Sequence, residues 1–275
     1  MSIIFIIITL LLIFFAAKKI HKYNREKYKT ASFNPDWLLI LQKNIKIYNK
    51  LPEALELKLQ GLINVFLHEK IFSGYNGLEI TDEIKVTITA QACLLVLNRG
   101  DDLYPYLKNI YVYPGAFKSK QEINNGMVKT MKETVRIGES WQLGHVVLSW
   151  YHSKEGGLHE KDGHNVVYHE FAHQLDNEDG VIDGTPILNS AEDYKNWSEI
   201  FSCEYHELKN KIRKNKKSLI DYYGGESEGE FFAVVTELFF ERPHIFNQEH
   251  PALYAALRDF YRLDPQEWWA MPTLH

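Results

Sequence analysis

A chain of 275 residues, 45% hydrophobic and 24% charged, can bury one substantial core, and it shows neither internal repeats nor a low-complexity tract. The formal net charge of −5 argues against direct nucleic-acid binding. Two widely separated cysteines, Cys93 and Cys203, make no disulfide framework and no metal-ligand spacing, which fits a reducing compartment.

Residues 3–17 (IIFIIITLLLIFFAA) are an unbroken apolar run, followed by KKIHKYNREKYK. Fifteen helical residues span only about 22 Å, against the ~30 Å hydrocarbon core of a bilayer. Counting residues 1–20, with Lys18 and Lys19 snorkelling, brings the length close to that required. A secretory signal would carry basic residues before the run, and here all six Lys/Arg, at 18, 19, 22, 25, 27 and 29, follow it. The expectation is a single-pass transmembrane anchor over 1–20 in the inner membrane and a basic juxtamembrane linker over 21–34. The remaining domain, 35–275, is expected on the cytoplasmic side by the positive-inside rule.

Beyond Asn34-Pro35 the apolar periodicity predicts helices at about 36–49, 52–71 and 82–98. Strand-like runs follow at 110–113, 134–137 and 145–150. Helical patterns return around 164–177, 190–213, 229–241 and 250–261. The basic stretch KNKIRKNKK (209–217) lacks aromatic interleaving and reads as a solvated helix end. Trp268 and Trp269 read either as packing residues or as an exposed patch.

The chemistry concentrates in GHNVVYHEFAHQLD (163–176), which holds the HExxH pattern His169, Glu170, His173. Residues four apart share a helix face, so both imidazoles can reach one metal ion. Glu170 lies about 100° further round, where its carboxylate reaches a water rather than the metal. Tyr168, Ala172 and Leu175 form an apolar stripe that leaves the histidines facing a cleft. This is the arrangement of a zinc hydrolase with Glu170 as general base and one Zn2+ per chain. Asp176, three residues beyond His173, could orient that imidazole or simply end the helix. Histidines 152, 159 and 164 punctuate a Gly-rich stretch and read as solvated loop positions.

A third protein ligand has two sources. Asp179, six residues after His173, is the local one, and it needs a left-handed turn at Asp176, where glycine would be the easy residue. The distant one is GEFFAVVTELFFERP (229–243), read as a buried helix with Glu230 and Glu237 on one face. Two acids on one face of an otherwise apolar helix require a partner, or are simply exposed, and a zinc ion is a good partner. Glu230 is favoured as ligand, with Glu237 as outer support or as the reserve choice.

Four stretches in order carry a resemblance: GESWQLGHVVLSW, HNVVYHEFAHQLD, EFFAVVTELFFERP and HPALYAALRDFYRLDP. They resemble the Mlc titration factor A family of zinc-dependent peptidases, itself similar to the catalytic domain of anthrax lethal factor, a gluzincin. The resemblance implies that His169, His173 and Glu230 ligate zinc and that Glu170 is the base. It also implies that Tyr223 in DYYGGESEGEFF donates to an oxyanion; a one-residue slip would promote Tyr222 instead. The run ESEG departs from the Asn-Pro-Ala expected there. By the same resemblance the strand at 145–150 would lie at the cleft rim and pair with an extended substrate.

The resulting expectation is an α+β, mostly helical, zincin-like metallopeptidase domain with a small sheet behind an N-terminal transmembrane helix. Its partners would be a peptide or protein substrate or, alternatively, a transcriptional regulator, since the family name refers to sequestering a repressor.

Overall fold

The computed structural model describes residues 2–100, 103–125, 128–136, 138–141 and 144–269. Helix α1 (Ser2–Lys29) leads into α2 (Pro35–Asn44), α3 (Glu53–Glu69), strand β1 (Ile71–Gly74) and α4 (Asp82–Leu95). Next come β2 (Asn109–Tyr113), β3 (Phe117–Asn125), β4 (Val128–Arg136), β5 (Gly138–Trp141) and β6 (His145–Ser149). The C-terminal half is helical: α5 (Trp150–Leu158), α6 (Val166–Asp176), α7 (Ala191–Arg213), α8 (Glu228–Glu241), α9 (Pro243–Glu249) and α10 (Pro251–Tyr261).

The main sheet has strand order β1-β2-β6-β5, and β3 and β4 form a separate antiparallel hairpin. β1, β2 and β6 run parallel, while β5 pairs antiparallel with β6, setting Gly138 opposite Leu148. One sheet face is dry: Ile110, Val112, Val146 and Leu148 are fully buried. The motif helix α6 packs against β5, β6, α4, α5 and α8, and its residues 170–176 are all buried.

The mostly helical α+β expectation holds for this body, but the transmembrane helix does not. Among the described residues no helix is long and apolar enough to cross a membrane. That removes the transmembrane helix from the fold class and, with it, the single-pass inner-membrane placement. The physical reason lies in α1 itself. Its apolar first half is short of a bilayer by about 8 Å on the 1.5 Å rise per residue. Its second half carries the six cations and belongs to the protein body. There Arg25 pairs with Glu69 (2.9 Å), Tyr28 stacks on His68 (3.7 Å between centroids), and a Cβ on Gly61 of α3 would stand 2.7 Å from the Lys29 carbonyl.

Two further expectations change. The stretch read as a Gly-rich loop begins as helix α5: Gly156 and Gly157 sit there for close approach, since a Cβ would meet the Asn165 side chain (2.9 Å) or the Asn44 carbonyl (2.5 Å). The strand at 145–150 cannot receive a substrate, because β6 is hydrogen-bonded by β2 on one side and β5 on the other. Among the described residues, the sheet edge beside the motif helix is β5. Trp268 and Trp269 are both buried; Trp269 lies under the Lys50 ammonium (3.5 Å) and donates to the Phe240 carbonyl (3.1 Å).

Candidate metal centre

Helix α6 starts where Asn165 accepts the amides of Val167 and Tyr168 (3.1 Å each) on its side chain. One turn on, His169 and His173 project together, with ring centroids 4.9 Å apart. Helix α8 starts at the Ser227 cap, whose hydroxyl accepts the Glu230 amide (3.1 Å), so Glu230 enters in the first turn. Its Oε2 lies 2.9 Å from His169 Nε2 and 3.4 Å from His173 Nε2. Among the described residues, His169, His173 and Glu230 form the group able to hold a metal ion, with ligand atoms all within 4.8 Å of one another.

The donor set fits zinc. Two imidazole nitrogens and a carboxylate oxygen are its usual ligands, and tetrahedral bonds of ~2.0–2.1 Å put ligand atoms about 3.3 Å apart. Electrostatics agree. Burial works against a charged His169, yet its two ring nitrogens face Glu230 and Glu237, and its pKa is raised well above the usual value. Burial likewise works against the Glu230 anion, but hydrogen bonds to both histidines hold its carboxyl far below the usual range. Acids cluster here in a way that favours a cation.

Glu237 takes the other side of His169: its Oε1 is 2.8 Å from Nδ1. Glu170 is 6% exposed, buried against the edge strand, where a Cβ on Gly138 would come within 2.5 Å of its Oε1. Tyr223 rather than Tyr222 reaches the cluster. Its ring lies 5.8 Å from that of His169, and burial together with the nearby Glu230 carboxylate pushes the phenol pKa up. The Tyr222 hydroxyl instead donates to the Lys216 carbonyl.

Asp179 is not brought to the site. Asp176 keeps right-handed helical angles (φ −61°, ψ −39°), and the left-handed turn falls at Gly180 (φ 95°). Asp179 is exposed and its side chain accepts the Val181 amide (3.0 Å). Nor does Asp176 bond His173: it accepts the Gly184 amide (2.9 Å), and burial raises its pKa to about 6. His159 pairs with Glu155 (3.2 Å), His152 bonds Ser149 (2.8 Å), and His164 is exposed. Sequence reading missed Gly138, Gln91 and Glu241. For Glu241 a signal existed, since it follows Glu237 by four residues on the same helix.

A buried helix carrying two histidines, faced by a carboxylate from a second helix, with a further carboxylate against a sheet edge, is a donor set that could hold a metal ion, as a metallopeptidase requires. The chain belongs to the glucose-regulated metallo-peptidase M90 family, whose model matches residues 19–262. It is 42% identical over 233 residues to an uncharacterized protein of Synechocystis sp., covering 84% of this chain and 85% of that one. It is 32% identical over 213 residues to Mlc titration factor A of Klebsiella pneumoniae subsp. pneumoniae, covering 76% and 79%. Against Mlc titration factor A of Salmonella arizonae it is 28% identical over 247 residues, covering 88% and 96%.

Proposed function

We propose that the chain is a zinc-dependent peptidase in which His169, His173 and Glu230 hold the metal, Glu170 is the general base and Tyr223 the oxyanion donor. The observation that carries this reading is the convergence of both Nε2 atoms and Glu230 Oε2 beside a buried Glu170. Zinc bound there supplies Lewis acidity, bringing the pKa of water toward ~7 and polarising a carbonyl. Glu170 takes the proton of the attacking water and returns it to the amine nitrogen as the C–N bond breaks. Tyr223 donates a hydrogen bond to the oxyanion of the tetrahedral intermediate. Glu237, on His169 Nδ1, keeps that ring turned so that Nε2 faces Glu230. The β5 edge of the sheet pairs with the extended substrate.

The test is a mixed peptide library with the full chain. Zinc-loaded protein cleaves, chelation abolishes cleavage, and added zinc restores it. Tyr223→Phe keeps zinc but loses roughly 100–1000-fold in kcat, the typical cost of one oxyanion donor. Tyr222→Phe behaves as wild type; the opposite ranking would move the role to Tyr222. Absence of cleavage by zinc-loaded wild type would turn the reading to the alternative.

That alternative is favoured by the relatives' name, Mlc titration factor A. In it the chain is a regulatory protein that binds a transcriptional repressor, with or without cleavage.

The contact between Gly138 and Glu170 carries its own expectation. A methyl at 138 would lie 2.5 Å from Glu170 Oε1, 2.7 Å from its Cγ and 2.6 Å from Val166 Cγ2, so the whole Glu170 side chain and the stiff Val166 would have to shift. Gly138→Ala is therefore expected to lower Tm and to push the carboxylate aside, and in the variant that retains zinc kcat falls by up to ~100-fold. Unchanged kcat at unchanged zinc content would show that the contact has no bearing on the base.

A further inference from the structure

Helix α8 turns three acids toward α6, and each engages a different part of it. Glu230 meets the two Nε2 atoms. Glu237 meets His169 Nδ1 (2.8 Å) and the Asn165 amide (2.5 Å). Glu241 accepts the Gly163 amide (3.0 Å) and the side-chain Nδ2 of Asn165 (3.1 Å). The segment entering the motif helix is thus clamped by two carboxylates, one of which also bonds a proposed zinc ligand.

Asn165 is the hub of this clamp. It is 2% exposed and every polar atom it has is engaged. Oδ1 caps the helix, the carbonyl accepts the His169 amide (2.9 Å), and the backbone amide donates to Glu237. Nδ2 donates to Glu241 and to Gln91 Oε1 (2.9 Å). Gln91 is itself pinned, donating to the carbonyls of Thr87 (2.9 Å) and Ser153 (3.0 Å).

A helix cap needs only the oxygen, and Ser, Thr or Asp would supply it. The amide donors of Asn165 are surplus to capping. Glu241 is equally surplus to a stable core: it is 3% exposed, Glu237 and Asp162 lie near enough to disfavour its charge, and burying a carboxyl is costly. Both features are explained if their work is to hold the loop, and with it Glu237, in register with His169.

We propose that Asn165 and Glu241 are positioning residues of the metal centre, acting together on the Glu237–His169 contact. This rests on reading His169, His173 and Glu230 as the metal site. Outer partners of metal-bound histidines typically contribute 10–100-fold in metal affinity.

The experiment measures zinc affinity of the full chain by competition with a chromophoric chelator, together with the visible spectrum of the cobalt-loaded protein. Asn165→Ser keeps a capping oxygen and removes both amide donors; Glu241→Leu removes the acceptor at similar volume. Each is expected to weaken zinc binding by roughly 10–100-fold and to alter the cobalt spectrum. The double variant loses little more than either single one, because the two residues act through one contact. Ser190→Ala, which removes the exposed cap of α7 and none of the hydrogen bonds of this network, lowers Tm and leaves zinc affinity unchanged. Should Asn165→Ser not fold, Asn165→Thr, which also keeps a capping oxygen without the amide group, gives the same comparison. Wild-type affinity and spectrum in the variants, with only Tm reduced, would overturn the proposal. Failure of the wild type itself to bind one zinc would instead remove the metal reading beneath it.

Discussion

Glu170→Gln leaves one zinc bound per chain and lowers peptide cleavage by roughly 100–10,000-fold, the usual contribution of a positioned general base. The substitution is chosen to isolate the proton transfer. Gln has the volume of Glu, so the packing against Gly138 and Val166 is retained, and the residue lies one position along the helix from the imidazole that faces Glu230. What disappears is only the capacity to accept a proton and return it. Zinc content and turnover, measured on the same preparation, check this. Wild-type turnover in the variant would sink the assignment of Glu170, and loss of zinc would make it a ligand.

Glu230→Ala is expected to weaken zinc binding by more than the ~10–100-fold typical of outer partners, because in the proposed site it removes a direct ligand. Its carboxylate bridges both histidines, at 2.9 and 3.4 Å, and the hydrogen bonds that hold its pKa down vanish with it. Asp179→Ala is the matched control: an exposed acid whose side chain serves the Val181 amide, it is expected to leave zinc affinity unchanged. Zinc titrations of the two variants decide between the distant and the local ligand. Equal losses, or loss with Asp179→Ala alone, would return the third ligand to the segment after the motif helix.

Legibility followed the range of the interaction. HExxH could be read because the i,i+4 rule is local, and its helix because the apolar stripe of Tyr168, Ala172 and Leu175 is local too. Glu230 was reachable because two acids on one face of an apolar helix demand a partner. Gly138 had no local signal: what makes it special is Glu170, which only strand pairing and helix packing bring beside it. The strand at 145–149 was recognisable by its apolar run, yet whether it sits inside or at the edge of a sheet depends on partners elsewhere in the chain. The apolar run at 3–17 shows how hydropathy misleads: a length count favoured a membrane span, while contacts between α1 and α3 claim the rest of that helix.

By itself, then, the sequence determined which groups are on offer: two imidazoles and a carboxylate on adjacent helix faces, and acids on a second apolar helix. The tertiary structure decided which distant groups complete it. Glu230, 61 residues from His169, enters the cluster, while Asp179, six residues from His173, does not. The reason is conformational. Asp176 stays in the right-handed helix with its carboxylate on the Gly184 amide, so the chain turns too late to bring Asp179 back, and the packing of α8 on α6 supplies the carboxylate instead.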